Sequence, residues 1–203
     1  MYGYEQEIGR LMDILPASGR MFTKLVSKPE QRVVIDCPVP KPWITDRPIW
    51  INFDLLNDLS LPERDLLVLR TVSWMTGFKW FKPSLYQGLV LVGALGAVIE
   101  AVQGDPVGIV AAGGLSAIAA TQIWRTNHST QRELDADEAA IQVALRRGYT
   151  EPDAARHLLD AINGVADIEN RRGLSFVELL RCQNLKAIAG ISTVAIPEAV
   201  RQE

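Results

Sequence analysis

The sequence predicts a mainly helical α+β protein with a small sheet and an inserted two-helix transmembrane hairpin. Three observations predict it. Two apolar segments, Leu85–Val102 and Val107–Trp124, are joined by Gln103-Gly104-Asp105-Pro106. Two short β-branched and aromatic runs, Arg32–Cys37 (RVVIDC) and Pro48–Phe53 (PIWINF), precede them. Most of the remainder repeats apolar residues at spacings of three and four, the period of a helix with one buried face.

Each apolar segment is about 18 residues, roughly 27 Å as helix, against a hydrocarbon core of roughly 30 Å. Glu100 is the charge within them and sits beside the turn, where a carboxylate reaches the headgroups. Gly88, Gly93, Gly96, Gly108, Gly113 and Gly114 lie among alanines. Such residues disfavour a soluble helix but let two helices approach closely in lipid. The same residues also read as a buried hairpin in a soluble bundle. Lys79 and Lys82 precede the pair, Arg125 and Arg132 follow it, and the turn carries Asp105 without Lys or Arg. By the positive-inside rule, both termini and the soluble part are then cytoplasmic. Trp80, Phe81, Tyr86 and Trp124 fall at that boundary, as in an aromatic belt.

Composition narrows the function. Of 203 residues, 48% are hydrophobic and 22% charged, so the part outside the hairpin is ordinary globular material. A net charge of −3 and a pI near 5.5 give no reason to expect nucleic-acid binding. Cys37 and Cys182 have no metal or redox spacing and read as small apolar residues in a reducing compartment. Glu5 and Glu7 stand where a signal peptide is basic, which leaves the internal hairpin as the targeting signal.

In chain order, Tyr4–Leu15 carries Ile8, Leu11, Met12 and Leu15 on one helix face and ends at Pro16. Arg20, Phe22, Lys24 and Lys28 follow, either as a solvated connector or as a basic, partly apolar segment resting on anionic lipid. RVVIDC and PIWINF read as strands, the second at a sheet edge because Pro48 opens it. Ser60-Leu61-Pro62-Glu63 is a helix start with a capping box. The helix it opens runs through Leu66, Leu67, Val68, Leu69, Val72 and Met75, apolar on most of its circumference, hence central and buried. Beyond the hairpin, Gln131–Arg147 is a helix with Leu134, Ile141 and Leu145 as its stripe. Asp137 lies in line with that stripe and Glu133 one turn before it, so either two carboxylates point inward or Asp137 borders the core in solvent. Thr150-Glu151-Pro152 begins another helix, to about Ile162, and Leu174–Ile188 a last one with Phe176, Leu179, Leu180 and Leu185 inward.

The order of these parts, PIWIN, then LLNDLSLPERDLLVL, then the hairpin, then RELDAD, ALRRGY and EPDAARHLLDAI, resembles the integral-membrane zinc metallopeptidases of the HtpX type over roughly residues 32–162. In overall pattern the chain is also similar to small uncharacterised membrane proteins of cyanobacteria, which implies a plasma or thylakoid membrane. The peptidase resemblance implies a peptidase-like domain divided as residues 1–30 (N-terminal helix and basic connector), 31–84 (strands and buried helix), 85–124 (hairpin) and 125–203 (C-terminal helices). In that family HExxH places two zinc-binding histidines one turn apart around a catalytic glutamate, and a glutamate after the hairpin is the third ligand. Aligned on Val68-Leu69, the histidine positions are Thr71 and Met75, the catalytic glutamate is Val72, and Glu133 and Asp137 keep the third ligand and the carboxylate after it. The histidines of the chain are His128 and His157, neither with a ligand partner at helical spacing.

The resemblance therefore implies a pseudopeptidase without metal or cofactor. Its role reads as a scaffold, assembly or quality-control factor for a membrane protein complex. Arg64 or Arg70, on the buried helix, is expected to replace the metal's charge. The partner-binding residues are expected to be Gly93 and Gly113 on the small-residue faces, with Trp74, Trp80, Phe81 and Trp124 at the boundary. Two other classes stay open: a permanent small subunit of a membrane complex, and an enzyme using Glu133 and Asp137. The chain shows no Gly-rich phosphate loop, Ser-His-Asp constellation or activated cysteine pattern.

Overall fold

Ser60 and Glu63 start the central helix as their spacing dictates: the Glu63 carboxylate accepts from the Ser60 amide at 2.8 Å, and Pro62 sits in the first turn. The computed structural model describes residues 4–39, 47–77 and 130–192. Among these, α1 is Glu5–Ile14, α2 Ala17–Phe22, β1 Thr23–Ser27, β2 Ile35–Asp36, β3 Arg47–Ile51, α3 Phe53–Leu56, α4 Leu61–Thr76, α5 Thr130–Leu145, α6 Glu151–Ile168 and α7 Phe176–Ile188. They belong to one unit assembled from both sides of residues 79–129.

The expectation of an inserted transmembrane hairpin is corrected. The fold is mainly helical with a three-stranded sheet, and among the described residues no helix is long and apolar enough to cross a membrane. Even the central α4 is interrupted by Glu63, Arg64, Asp65 and Arg70. The segment 85–124, with Gly93, Gly113 and Trp124, lies outside the described residues, as do Trp80 and Phe81.

The sheet order is β1-β3-β2, with β1 parallel to β3 (Leu25 opposite Ile49) and β2 antiparallel to it (Ile35 opposite Ile51). β1 was not expected as a strand. Its Thr23 and Leu25 are buried and Lys24 exposed, an alternation too short to outweigh the basic character of the segment. RVVIDC shortens to two strand residues because the Val34 amide donates to the Glu169 carboxylate at 2.9 Å, away from the sheet. Nor is β3 an edge strand. Pro48 is tolerated because β2 reaches only Trp50 and Ile51, leaving the Pro48 end paired on one side. Asn52 closes the sheet: its amide donates to Pro29 O and Gln31 O, and its oxygen caps α3.

α4 lies at the centre with Leu66, Leu67, Val68, Leu69, Val72 and Met75 all buried, as its circumference predicts. α6 continues six residues past the expected end at Ile162, to Ile168. Gly164 lies in this extension and lets Leu59 pack close against it: a Cβ there would stand 2.7 Å from Leu59 Cδ2. The inward face expected for α7 holds at Leu185 and is corrected at Phe176 and Leu179. Phe176 is 67% and Leu179 54% exposed, whereas Arg181, Cys182, Asn184 and Leu185 are buried. The helix is rotated so that Arg181 reaches the interior.

A polar network pins α1 to α4. Arg10 holds Glu7 and donates to Asp65 at 2.6 Å, and Tyr149, just after α5, donates to the other Asp65 oxygen at 2.9 Å. Burial and the bond to Asp65 push the Tyr149 phenol up to about 12. Because the folded state keeps this proton above the phenol's ordinary value near 10, the stability it contributes is present below pH 10 and lost between pH 10 and 12. Tyr149→Phe is expected to cost about 1 kcal/mol at neutral pH. It should also flatten the fall in urea midpoint from pH 10 to 12 relative to the native chain; an unchanged slope would contradict the assignment.

Candidate functional site

α5 positions both carboxylates singled out in the sequence. Glu133 and Asp137 are one turn apart, and the apolar stripe that buries Leu134 and Ile141 carries Asp137 inward to complete burial. A carboxylate there must be neutralised or compensated. Arg181 on α7 does this bidentately, Nε to Oδ2 and Nη2 to Oδ1, both at 2.8 Å. Arg70 on α4 adds its Nε 3.4 Å from Oδ1 and pairs through Nη2 with Glu133. The other Glu133 oxygen accepts from Trp74 Nε1 at 2.8 Å, and the Trp74 ring lies 5.5 Å from the Arg132 guanidinium. Burial, with the charge of Arg181 beside it, pushes the Arg70 guanidinium down to about 10.

The residues facing Glu133 are therefore Arg70 and Trp74, four apart on α4, one position before the expected Thr71 and Met75. Thr71 turns its hydroxyl to Leu67 O at 2.8 Å, Val72 packs where α2 meets α4, and Met75 is buried in the core. Of the two arginines singled out on the buried helix, Arg70 reaches the carboxylates of Glu133 and Asp137; Arg64 binds Leu59 O and Asn57 at the start of α4. Trp74, expected at a partner surface, is half-buried and bonded within the fold. Arg181 was missed, because the leucines around it suggested a different buried face.

A cavity of about 250 Å³ adjoins the cluster, with Arg70, Thr71 and Arg181 on one side and Arg171 paired with Glu169 and Glu178 on another. It is smaller than the roughly 300–1,000 Å³ of small-molecule sites, and its three arginines are already engaged. Among the described residues no group of three or more His, Cys, Asp or Glu is placed to hold a metal ion. His157 instead stands edge-on to Tyr149, ring centroids 6.2 Å apart; His128 lies outside the described residues.

These features define a mainly helical protein whose paired carboxylates are sealed by arginine. The chain belongs to the family described as Protein of unknown function (DUF3318), whose model matches residues 9–149. The thylakoid membrane protein slr1949 of Synechocystis sp. is 30% identical over 130 residues, 61% of this chain; the chain spans 61% of that relative's length. No solved structure matches. The metallopeptidase resemblance stands on the residues quoted for it alone.

Removing one partner from a buried ion pair leaves an uncompensated charge, which costs roughly 3–5 kcal/mol. Asp137→Ala should lower stability by about that amount in urea denaturation, and Asp137→Leu combined with Arg181→Leu by clearly less. A single variant within 1 kcal/mol of the native chain would show the pair to be dispensable.

Proposed function

We propose that the protein is a non-catalytic, membrane-associated member of its family that holds or helps assemble a membrane protein complex. The observation that carries the non-catalytic reading is the arginine pair. Arg70 and Arg181 neutralise both carboxylates that hydrolytic chemistry would need. Both Asp137 oxygens are bonded to Arg181, and Glu133 is held by Arg70 and Trp74, so neither carboxylate is free to activate water. Arg70 and Trp74 also take the one-turn spacing on α4 that a histidine pair needs to bind zinc beside Glu133. In this reading the guanidinium charge stands where a peptidase carries its metal. Membrane association is supported by the thylakoid relative.

The full chain, purified in mild detergent, is expected to carry no stoichiometric zinc, to leave unfolded membrane-protein substrates uncut, and to bring down a membrane-protein partner that strong detergent removes; a partner kept in fixed ratio through strong detergent would favour a permanent subunit instead. Zinc bound one to one and lost in Glu133→Gln would overturn the non-catalytic reading. Recovery of the chain alone, even after crosslinking in the membrane, would overturn the holding role.

A further inference from the structure

The α2–β1 junction presents an unusual surface. Arg20, Met21, Phe22 and Lys24 are all exposed, Met21 by 73% and Phe22 by 38%, while Gly19 and Thr23 between and beside them are buried. From Ala17 to Lys28 there is no acidic residue. The structure removes Lys28 from this group: it lies at the far end of β1, its ammonium 4.5 Å from the Trp50 ring centre. What remains is two exposed apolar side chains with an exposed cation on either side of them along the chain.

Its position is fixed by close packing. A Cβ on Gly19 would stand 2.7 Å from Val72 Cγ1, so α2 sits directly on the C-terminal half of α4. Thr23 is paired with Arg47, and Arg47 donates to the Met75 carbonyl. The patch thus lies at the end of α4 where the chain leaves at Gly77 into the sequence Phe78-Lys79-Trp80-Phe81-Lys82. Trp74 and Glu133 bring the start of α5, where the chain returns, to that end as well.

We infer that this patch is a lipid contact: Met21 and Phe22 enter the interface of an anionic bilayer, and Arg20 and Lys24 meet its headgroups. The inference rests on the membrane association proposed above and names the surface that makes it. Charge complementarity selects the occupant. Two exposed cations with no carboxylate in the segment suit a negative lipid surface, and apolar side chains beside them add burial at the headgroup boundary.

The test uses the full chain with Cys37 and Cys182 changed to Ala and an environment-sensitive fluorophore on Met21→Cys or, at the opposite end of α4, on Asp58→Cys. Vesicles are phosphatidylcholine alone or with phosphatidylglycerol. The label at 21 should shift to shorter wavelength with phosphatidylglycerol, lose most of that shift in Arg20→Gln/Lys24→Gln or at high salt, and show none at 58. Phe22→Trp in the chain with both cysteines kept should gain emission that brominated phosphatidylglycerol quenches beyond the baseline set by the five tryptophans of the native chain, which covers failure of the cysteine variants to fold; no gain over that baseline would count against the surface. Flotation with vesicles but a shift at 58 and not at 21 overturns this surface while leaving membrane association standing. A blue-shifted label at 21 without vesicles, dependent on protein concentration, assigns the patch to a second copy and overturns the inference. Failure of the native chain to float with either vesicle overturns the membrane reading and the inference together.

Discussion

Asp137 is a carboxylate without any solvent exposure, and much of the structure follows from satisfying it. Desolvating an ionised carboxylate costs several kcal/mol unless charge and hydrogen bonds replace water. Arg181 supplies both, and to do so α7 must turn its Arg181–Leu185 face inward. Phe176 and Leu179 go outward as a direct result. Arg70 then finds a second carboxylate at Glu133, so α4, α5 and α7 are joined by four charged groups of zero net charge.

α4 is held by polar contacts at both ends and by apolar packing between. Near its start Asp65 gathers Arg10 from α1 and Tyr149 from the turn after α5. Near its end Arg70 and Trp74 meet Glu133. Between these, Leu66, Leu67, Val68, Leu69 and Val72 are enclosed by the surrounding elements. Apolar burial is non-directional, so it permits many rotations of a helix that is apolar most of the way round. The directional polar contacts select one rotation, and that rotation places Arg70 and Trp74, rather than Thr71 and Met75, opposite the carboxylates.

The α2–β1 junction illustrates the same division. As a string of residues, Arg20 to Lys28 is simply basic and mixed with apolar side chains. The pairing of Thr23 with Arg47 converts part of it into a strand and sorts its side chains between the interior and the surface. Lys28 is carried to one end of the sheet and Arg20, Met21, Phe22 and Lys24 to the other.

The sequence by itself determined the elements whose signals are local. The capping box at Ser60, the amphipathic stripe of α1, the buried character of α4 and the start of α6 at Thr150 all come from residues within one or two turns of each other, whereas the sequence left Asp137 either inward or at the border of the core. It also offered Arg64 and Arg70 as alternatives to balance the carboxylates, without choosing between them. The tertiary structure decided what depends on distant partners. β1 exists because β3 lies beside it, and RVVIDC shortens because Glu169, far along the chain, takes the Val34 amide. The buried face of α7 keeps Leu185 but is turned by a carboxylate on α5, which leaves Phe176 and Leu179 outside. The register of α4 against Glu133 depends on a salt bridge that no spacing along one helix encodes. Periodicity specifies that a helix has an inside; only the charges and shapes packed against it decide which side that is.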